Sequence, residues 1–333
     1  MRSFAYRAPA TVEAALAELA GDPGAVYLAG GTNLVDLMRL GVARPRALVD
    51  LNGLLPHSVE ETDAGGLLIG AGVRNSDLAA EPRVRRDYPV LSQALLSGAS
   101  GQLRNMATVG GNLLQRTRCL YFQDVTKPCN KREPGSGCPA REGIHRDLGI
   151  LGVSTHCIAT NPSDMAVALA ALDAVIHLDG VDGRRRVTLD ELYRLPGDDP
   201  TRDTTLGRGE LITAVELPAP SRLTRTSAYR KARDRRSYAF AVGAVAAAVV
   251  VDDGEVSEVR IALGAVAPRP WRARVAESAL RGQALGSQAV KRAVAHEMER
   301  AELLPDNAFK AVLSANLTAD VLIRLAGLDG EER

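Results

Sequence analysis

The chain of 333 residues is long enough for two domains, since single domains usually hold about 100–200 residues. Apolar residues make up 46% and charged residues 24%, which is ordinary for a globular protein. The net charge of +1 provides no long-range attraction to nucleic acid or to an anionic membrane, so we expect neither as a partner.

The sequence contains neither an export signal nor a membrane span that we can recognise. Residues 1–21 lack the apolar segment and the small-residue cleavage site of a signal peptide. The longest apolar run, 239–251, is too short to cross a bilayer and ends at the turn signal DDG, so it predicts a buried strand. We therefore expect a cytoplasmic protein. Export together with a partner that carries the signal, which would place it in the periplasm, is the alternative.

The first 218 residues predict a mixture of strands and helices. Thr11 and Gly21 bracket a predicted helix, and a strand then runs into a glycine turn at 25–31. Further predicted elements are a helix at 33–41, strands at 46–52 and 65–73, a helix capped by Ser76, a helix at 88–100, a glycine turn at 107–113, a helix opened by Pro162 and Ser163, and strands after that helix and at 210–218.

Composition becomes polar and basic at 219–238, where we place a domain boundary near residue 220. Strands are predicted at about 226–232, 239–251 and 255–266, followed by helices at 272–282, 287–299 and 317–327. Because strands and helices alternate irregularly, the pattern indicates an α+β fold rather than a doubly wound sheet.

Two glycine turns are candidate ligand sites. The segments LAGGTNL (28–34) and TVGGNL (108–113) allow close approach of the backbone, and successive N–H groups in such turns can bind an anion. Two ordinary tight turns are the alternative. Neither segment matches G-x-G-x-x-G, and no P-loop motif occurs, so a dinucleotide would have to be held in another way.

Six motifs occur in order along the chain: YLAGGTNL, IGAGV, LRNMATVGGNL, PSDMAVALAALDA, ELITAVELP and RKARDRRSYAFAVGAVAA. Together they resemble the FAD-binding subunit of molybdenum hydroxylases, a family that includes xanthine dehydrogenases, aldehyde oxidoreductases and carbon monoxide dehydrogenases. The resemblance implies a two-subdomain FAD-binding fold of the PCMH or vanillyl-alcohol-oxidase type at 1–220, divided near residue 56. It also implies a C-terminal flavoprotein domain at 221–333, with a three-stranded sheet and helices.

The resemblance also implies which residues bind FAD. The first glycine turn would hold the pyrophosphate, the second would line the flavin, Asp164 would contact the ribose or adenosine, and Lys231 would lie near the isoalloxazine. The residues carried over are Leu28, Ala29, Gly30, Gly31, Thr32, Asn33, Leu34, Thr108, Gly111, Asn112, Asp164 and Lys231. Asp164 could instead be a carboxylate in the first turn of a helix, and Lys231 a solvated basic residue.

All four cysteines, Cys119, Cys129, Cys138 and Cys157, lie in one polar segment. The 51 residues between Asn112 and Asp164 contain an insertion, at about 114–160, relative to most members of the family. The insertion contains few large apolar residues, so we expect a metal centre to supply order that packing cannot. Four thiolates are the usual ligands of a [4Fe–4S] cluster, and the short C-x2–4-C spacing of zinc sites is absent. Zinc, disulfides and free thiols remain alternatives, and His156 is a possible replacement ligand.

The resemblance implies an electron-transfer subunit that contains FAD and a [4Fe–4S] cluster and carries no catalytic acid, base or nucleophile. A large molybdenum-cofactor subunit would oxidise an aldehyde or N-heterocycle, and a small [2Fe–2S] subunit would deliver the electrons, so we expect a heterotrimer. The cysteine segment is most similar to that of bacterial aldehyde oxidoreductases. A flavin subunit of the 4-hydroxybenzoyl-CoA reductase type, a stand-alone flavin oxidase and a zinc-stabilised interaction module are the alternatives.

Overall fold

The computed structural model describes residues 1–328, and its N-terminal part is a small parallel sheet in the strand order β1-β3-β2. Parallel strands need crossover connections, and a helix supplies each of them here. The Thr11 side chain caps the first helix by accepting a hydrogen bond from the Ala14 N–H at 3.2 Å, as its sequence position predicts. The elements are β1 (Ala5–Arg7), α1 (Val12–Gly21), β2 (Ala25–Leu28), α2 (Leu34–Arg39) and β3 (Ala47–Asp50).

A five-stranded antiparallel sheet in the order β4-β5-β8-β6-β7 forms the second subdomain. Helices pack around it and, together with the first sheet, enclose one apolar core. The strands are β4 (Val59–Glu61), β5 (Leu67–Gly70), β6 (Val175–Gly180), β7 (Gly183–Thr188) and β8 (Leu211–Leu217). The helices are α3 (Asn75–Ala80), α4 (Pro82–Asp87), α5 (Pro89–Ser97), α6 (Gly101–Arg104), α7 (Val109–Leu113), α8 (Leu120–Gln123), α9 (Asp164–Ala171) and α10 (Leu189–Leu192).

The C-terminal domain is an antiparallel sheet in the order β12-β11-β10-β9, so the prediction of three strands was wrong by one. The fourth strand has two residues, Trp271 and Arg272, and is too short to produce a periodic pattern in the sequence. The elements are α11 (Arg222–Arg225), β9 (Ser227–Ala232), β10 (Gly243–Asp252), β11 (Glu255–Gly264), β12 (Trp271–Arg272), α12 (Arg274–Leu280), α13 (Ser287–Glu297), a 3-10 turn (Met298–Arg300) and α14 (Phe309–Leu325).

Strand β10 explains the long apolar run near residue 250. Its alternate residues Ala244 and Ala246 belong to the core shared with the N-terminal region, whereas Val245 and Val249 belong to the C-terminal core. Helices α5 and α9 cover one face of the sheet, and α12 and α14 contact strands of the same sheet from the C-terminal core. A strand that is buried on both faces reads as continuously apolar. Among residues 1–328, no helix combines the length and the apolar character needed to cross a bilayer.

The insertion at about 114–160 contains a single short helix, α8, and otherwise consists of turns. It has its own small apolar cluster, in which Phe122, Leu148 and Ile158 pack with the cysteines against Leu37 of α2. Its return segment enters the C-terminal core, where the N–H groups of Ile150 and Leu151 both donate to the Val266 carbonyl. The insertion therefore joins the N-terminal region to the C-terminal domain.

Two local predictions need correction. Ser76 is the second residue of α3 rather than its cap. Arg74, the residue before the helix begins, makes no capping hydrogen bond with its side chain. The second glycine segment is not an open turn. It is the short helix α7, which Thr108 caps by accepting from the Gly111 N–H at 3.2 Å.

Candidate functional site

The first glycine turn presents unused backbone donors. Within the described part of the chain, the N–H groups of residues 30–33 donate no hydrogen bond. Gly31 has φ +72°, a conformation that L side chains rarely adopt, so the turn depends on glycine here. The Asn33 side chain accepts from the Arg116 N–H at 2.9 Å, while its buried Nδ2 has no partner. Free N–H groups in sequence, with an unsatisfied amide beside them, suit a phosphate oxygen.

The second glycine segment uses its donors internally. The N–H groups of Val109 and Gly110 donate to the carbonyls of Val73 and Ala71, at 3.0 and 2.9 Å. A Cβ on Gly30 would overlap the Met106 carbonyl, so the backbone before this segment packs directly against the first turn. The second segment therefore supports the first turn and is not a second set of free phosphate donors.

Sequence reasoning missed two residues that brace the first turn. Asn52 donates through Nδ2 to the Ala29 carbonyl at 3.3 Å, and its Oδ1 accepts from Arg74 Nη2 at 3.3 Å. Arg74 also donates to the Met106 carbonyl. These contacts link segments that lie 22 to 32 residues apart, and no local sequence pattern marks them.

Asp164 and Lys231 form a buried ion pair. Lys231 Nζ lies 2.8 Å from Asp164 Oδ2 and 3.2 Å from the Ser97 carbonyl, and the two side chains are 3% and 10% exposed. Tyr229 donates its hydroxyl to the other carboxylate oxygen. Burial, with the Asp164 charge adding to it, raises the pKa of Tyr229 well above its usual value. Lys231 is thus not a solvated residue.

The pairing places the two residues side by side, with their charged atoms 2.8 Å apart. Of the two, only Asp164 lines the cleft described next. The contact of Asp164 with the ribose or adenosine, and the place of Lys231 near the isoalloxazine, stay predictions. Asp164 begins α9, and Ser163 before it caps that helix at the Ala166 N–H and also contacts Asn112.

A cleft of about 250 Å³ opens beside this ion pair. Asp164 and Tyr229 line one part of it, and Arg118, Cys119 and Phe240 line another. The Arg118 guanidinium lies 4.7 Å from the centre of the Phe240 ring, which joins the insertion to the segment after β9. The cleft is therefore bounded by the N-terminal region, the insertion and the C-terminal domain.

The four cysteines line a single small pocket. All four are free thiols, and none forms a disulfide in this structure. Cys119 and Cys157 are buried, and Cys129 and Cys138 are half-buried. Cys119 also lines the cleft beside Asp164, so the two spaces adjoin at this residue.

Within residues 1–328, the side chains of His, Cys, Asp and Glu form no group of three or more that could hold a metal ion. The feature that the four cysteines have in common is the pocket that they line.

Backbone N–H groups surround the sulfurs. Cys119 accepts from the N–H groups of Tyr121 and Phe122, and Cys138 from those of Ala140 and Ile158. Burial raises the pKa of Cys119 to about 12 and also raises that of Cys138. Desolvation is the larger effect and raises the pKa of these thiols, whereas the N–H groups act in the opposite direction.

A buried lysine forms part of the same pocket wall. Lys131, whose side chain is 5% exposed, donates from Nζ to the Pro200 carbonyl at 2.8 Å and to Asp203 Oδ1 at 2.5 Å. Burial raises the pKa of Cys157, and the Lys131 charge acts against that rise. Asp203 lies 72 residues from Lys131 in sequence and also pairs with Arg116, which sequence reasoning could not find.

The histidines of the insertion differ in their environments. His156 also lines the cysteine pocket, but its side chain is 45% exposed and its ion-pair partner, Asp198, is 3.7 Å away. His145 is buried outside that pocket and accepts from the Asp306 N–H at 3.1 Å. His156 is therefore the histidine that is placed to replace a thiol ligand.

Comparison with known proteins identifies the family. Residues 2–220 match the family described as the FAD binding domain in molybdopterin dehydrogenase, and residues 227–325 match the CO dehydrogenase flavoprotein C-terminal domain. The chain belongs to the FAD-binding medium subunits of the molybdenum hydroxylase family, which confirms the family, the fold class and the oxidoreductase role predicted from its motifs.

Individual relatives cover the chain almost completely. It is 51% identical over 323 residues to the aldehyde oxidoreductase FAD-binding subunit PaoB of Escherichia coli strain K12. The matched segment covers 97% of this chain and 98% of the relative. It is 29% identical to the carbon monoxide dehydrogenase medium chain of Hydrogenophaga pseudoflava, over 87% and 84% of the two chains. A solved structure of carbon monoxide dehydrogenase from that organism superposes with a TM-score of 0.75 at 26% identity, covering 98% of each chain.

Proposed function

We propose that this chain is the FAD- and [4Fe–4S]-containing electron-transfer subunit of a heterotrimeric molybdenum hydroxylase of the aldehyde oxidoreductase or xanthine dehydrogenase type. Its partners would be a small [2Fe–2S] subunit and a large subunit with the molybdenum cofactor. The observation that carries the proposal is the pocket shared by all four cysteines, which adjoins the cleft beside Asp164. The 51% identity to an aldehyde oxidoreductase subunit favours an aldehyde as the substrate of the whole enzyme.

Residues of the first turn would hold FAD by its phosphates. The unused N–H groups of residues 30–33 supply donors without further rearrangement, and Asn33 Nδ2 has a free donor beside them. Asp164, fixed by Lys231 and Tyr229, would orient the part of the flavin nucleotide that enters the cleft. When bound, FAD can accept electrons singly and deliver them in pairs, and the protein tunes its environment.

The four cysteines would each bind one iron of a [4Fe–4S] cluster. Such a cluster binds its four thiolates at separate corners, and the four cysteines line one pocket in which it would sit. The N–H groups that already point at Cys119 and Cys138 would become hydrogen bonds to ligated sulfur, one of the features that set a cluster's potential. A cluster here would also stabilise the turns of the insertion.

Co-purification with its partners, followed by rapid freezing under aldehyde, tests the proposal. We expect non-covalent FAD that is released on denaturation, and an electron paramagnetic resonance signal of the cluster that changes during turnover. The isolated chain should not oxidise aldehydes at the rate of the complex. A cluster that stays in one oxidation state while FAD is reduced at the normal rate would rule out a relay and leave a structural role.

We also propose a cytoplasmic location, because the four cysteines are free and the cytoplasm keeps thiols reduced. Cell fractionation of the host with antibodies to this chain tests it. Recovery of the complex from the periplasm would instead support export together with a partner.

A further inference from the structure

We propose that the charge of Lys131 raises the reduction potential of the [4Fe–4S] centre. The carboxylate of Asp203 would lower that potential. This inference rests on the cluster proposed above. It concerns a fixed charge that the fold holds in the wall of the cysteine pocket.

The sequence places several basic residues near the cysteines, but the structure separates their roles. Arg132 binds the backbone carbonyls of Tyr121 and Phe122, at 2.5 and 2.6 Å. Arg116 lies 5.0 Å from the centre of the Phe122 ring. Among the lysines and arginines in residues 1–328, only Lys131 lines the cysteine pocket.

The ammonium of Lys131 cannot move freely. Its side chain is 5% exposed, and Nζ is fixed by the Pro200 carbonyl and by Asp203 Oδ1. It lines the same pocket as Cys157, which is itself buried. A buried charge is screened much less by salt and water than a surface charge, so its influence on the pocket is retained at ordinary ionic strength.

The direction of the effect follows from charge. Reduction adds one electron to a [4Fe–4S] cluster and makes it more negative. A nearby cation stabilises the reduced form and raises the potential, whereas a nearby carboxylate lowers it. Lys131 lines the pocket, whereas Asp203 contacts Lys131 Nζ and does not line the pocket. Removing the Lys131 charge should therefore lower the potential, and removing the Asp203 charge should raise it.

The competing explanation is that Lys131 only anchors the insertion to the loop around Pro200. In that case, loss of either partner of the ion pair would have the same consequence, because both variants break the same contact. The sign of the potential shift therefore separates tuning from anchoring.

The experiment uses the assembled complex with Lys131→Gln, Asp203→Asn and Lys131→Arg, and Lys127→Gln as a matched control, because Lys127 is an exposed lysine of the same segment. Dithionite supplies the electron in a titration followed by electron paramagnetic resonance, and iron and sulfide are measured for every variant. We expect a lower midpoint potential for Lys131→Gln, a higher one for Asp203→Asn, and values close to wild type for Lys131→Arg and the control.

Shifts of the same sign, no shift in either charge variant, or loss of iron from both would overturn the proposal and leave an anchor. If Lys131→Gln alone loses iron, an unchanged or lowered potential in Asp203→Asn overturns it, and a raised potential supports it. If the wild-type chain holds no cluster, the proposed function itself fails. That outcome differs from an intact cluster whose midpoint potential is the same in wild type and in both charge variants.

Discussion

The Ser163 hydroxyl donates a hydrogen bond to Asn112 Oδ1 at 2.6 Å, although the two residues lie 51 positions apart and the insertion makes up most of the chain between them. The same hydroxyl accepts from the Ala166 N–H at 3.0 Å and so caps α9. This contact joins the second glycine segment to the helix that carries Asp164. The two predicted parts of the flavin site are thus mechanically continuous, although the insertion separates them in sequence.

Asn112→Ala should weaken FAD binding. It removes the acceptor for Ser163 at the junction of the two parts of the site, and a net hydrogen bond contributes about 1 kcal/mol, or roughly a fivefold change in Kd. Titration of the flavin-free complex with FAD, followed by fluorescence, measures the change. Unaltered affinity would show that the junction does not position the flavin.

Gly31→Val should strip FAD from the purified protein. The residue has φ +72°, and a Cβ would lie 3.3 Å from Val35 Cγ2, so the turn must rearrange where the unused N–H groups lie. Gly65→Val is a matched control, since Gly65 has φ +77° in a turn between β4 and β5, with no atom within 4 Å of the added Cβ. Flavin content should fall in Gly31→Val and not in Gly65→Val. Equal flavin content in the two variants would contradict the assignment of the first glycine turn as the phosphate site.

Lys231→Met should destabilise the protein and loosen FAD. It leaves the Asp164 carboxylate buried with Tyr229 as its partner, and breaking a buried ion pair costs about 3–5 kcal/mol. The double variant Asp164→Asn with Lys231→Met should recover part of that stability, because the uncompensated charge is gone. Thermal unfolding of wild type, both single variants and the double variant measures the coupling, and additive losses would contradict a buried pair.

Stability should fall as the pH drops from about 4 to about 2, in part through Asp87. Hydrogen bonds and charge from Arg86 and Arg225 lower its pKa from 3.8 to about 2. A carboxyl whose pKa is lower in the folded state stabilises the fold above its unfolded pKa and loses that effect as it protonates. Asp87→Asn should make the free energy of unfolding depend less steeply on pH in this range. A dependence equal to that of wild type would show that the ion pair of Asp87 with Arg225, between α4 and the C-terminal domain, contributes nothing.

The sequence predicted the parts of the site that are local. The first glycine turn, the helix after Pro162 and Ser163, and the grouping of four cysteines all depend on neighbouring residues. It could not predict the pairing of Asp164 with Lys231, the contact of Lys131 with Asp203, or the bracing of the first turn by Asn52 and Arg74. These contacts join residues that lie 22 to 72 positions apart and depend on how the sheets pack.

The elements of the fold also differ in whether local sequence predicts them. Strand β10 is predicted by its apolar run, whereas β12 is defined by its pairing with β11 and has no sequence pattern of its own. The insertion contains few large apolar residues, as its composition indicates. It is nevertheless packed, because Phe122, Leu148 and Ile158 find partners on α2 and near the C-terminal helices.

The central claim is that the four cysteines hold a [4Fe–4S] cluster, and the most direct measurement is iron and acid-labile sulfide in the purified complex of wild type, Cys138→Ser and His156→Ala. The small partner would bring its own iron, so the difference between variants isolates this subunit. We expect Cys138→Ser to lose about four iron and four sulfide per chain, with loosened FAD, while His156→Ala keeps them. Iron, sulfide and flavin unchanged in Cys138→Ser, or one zinc in place of iron, would contradict the account.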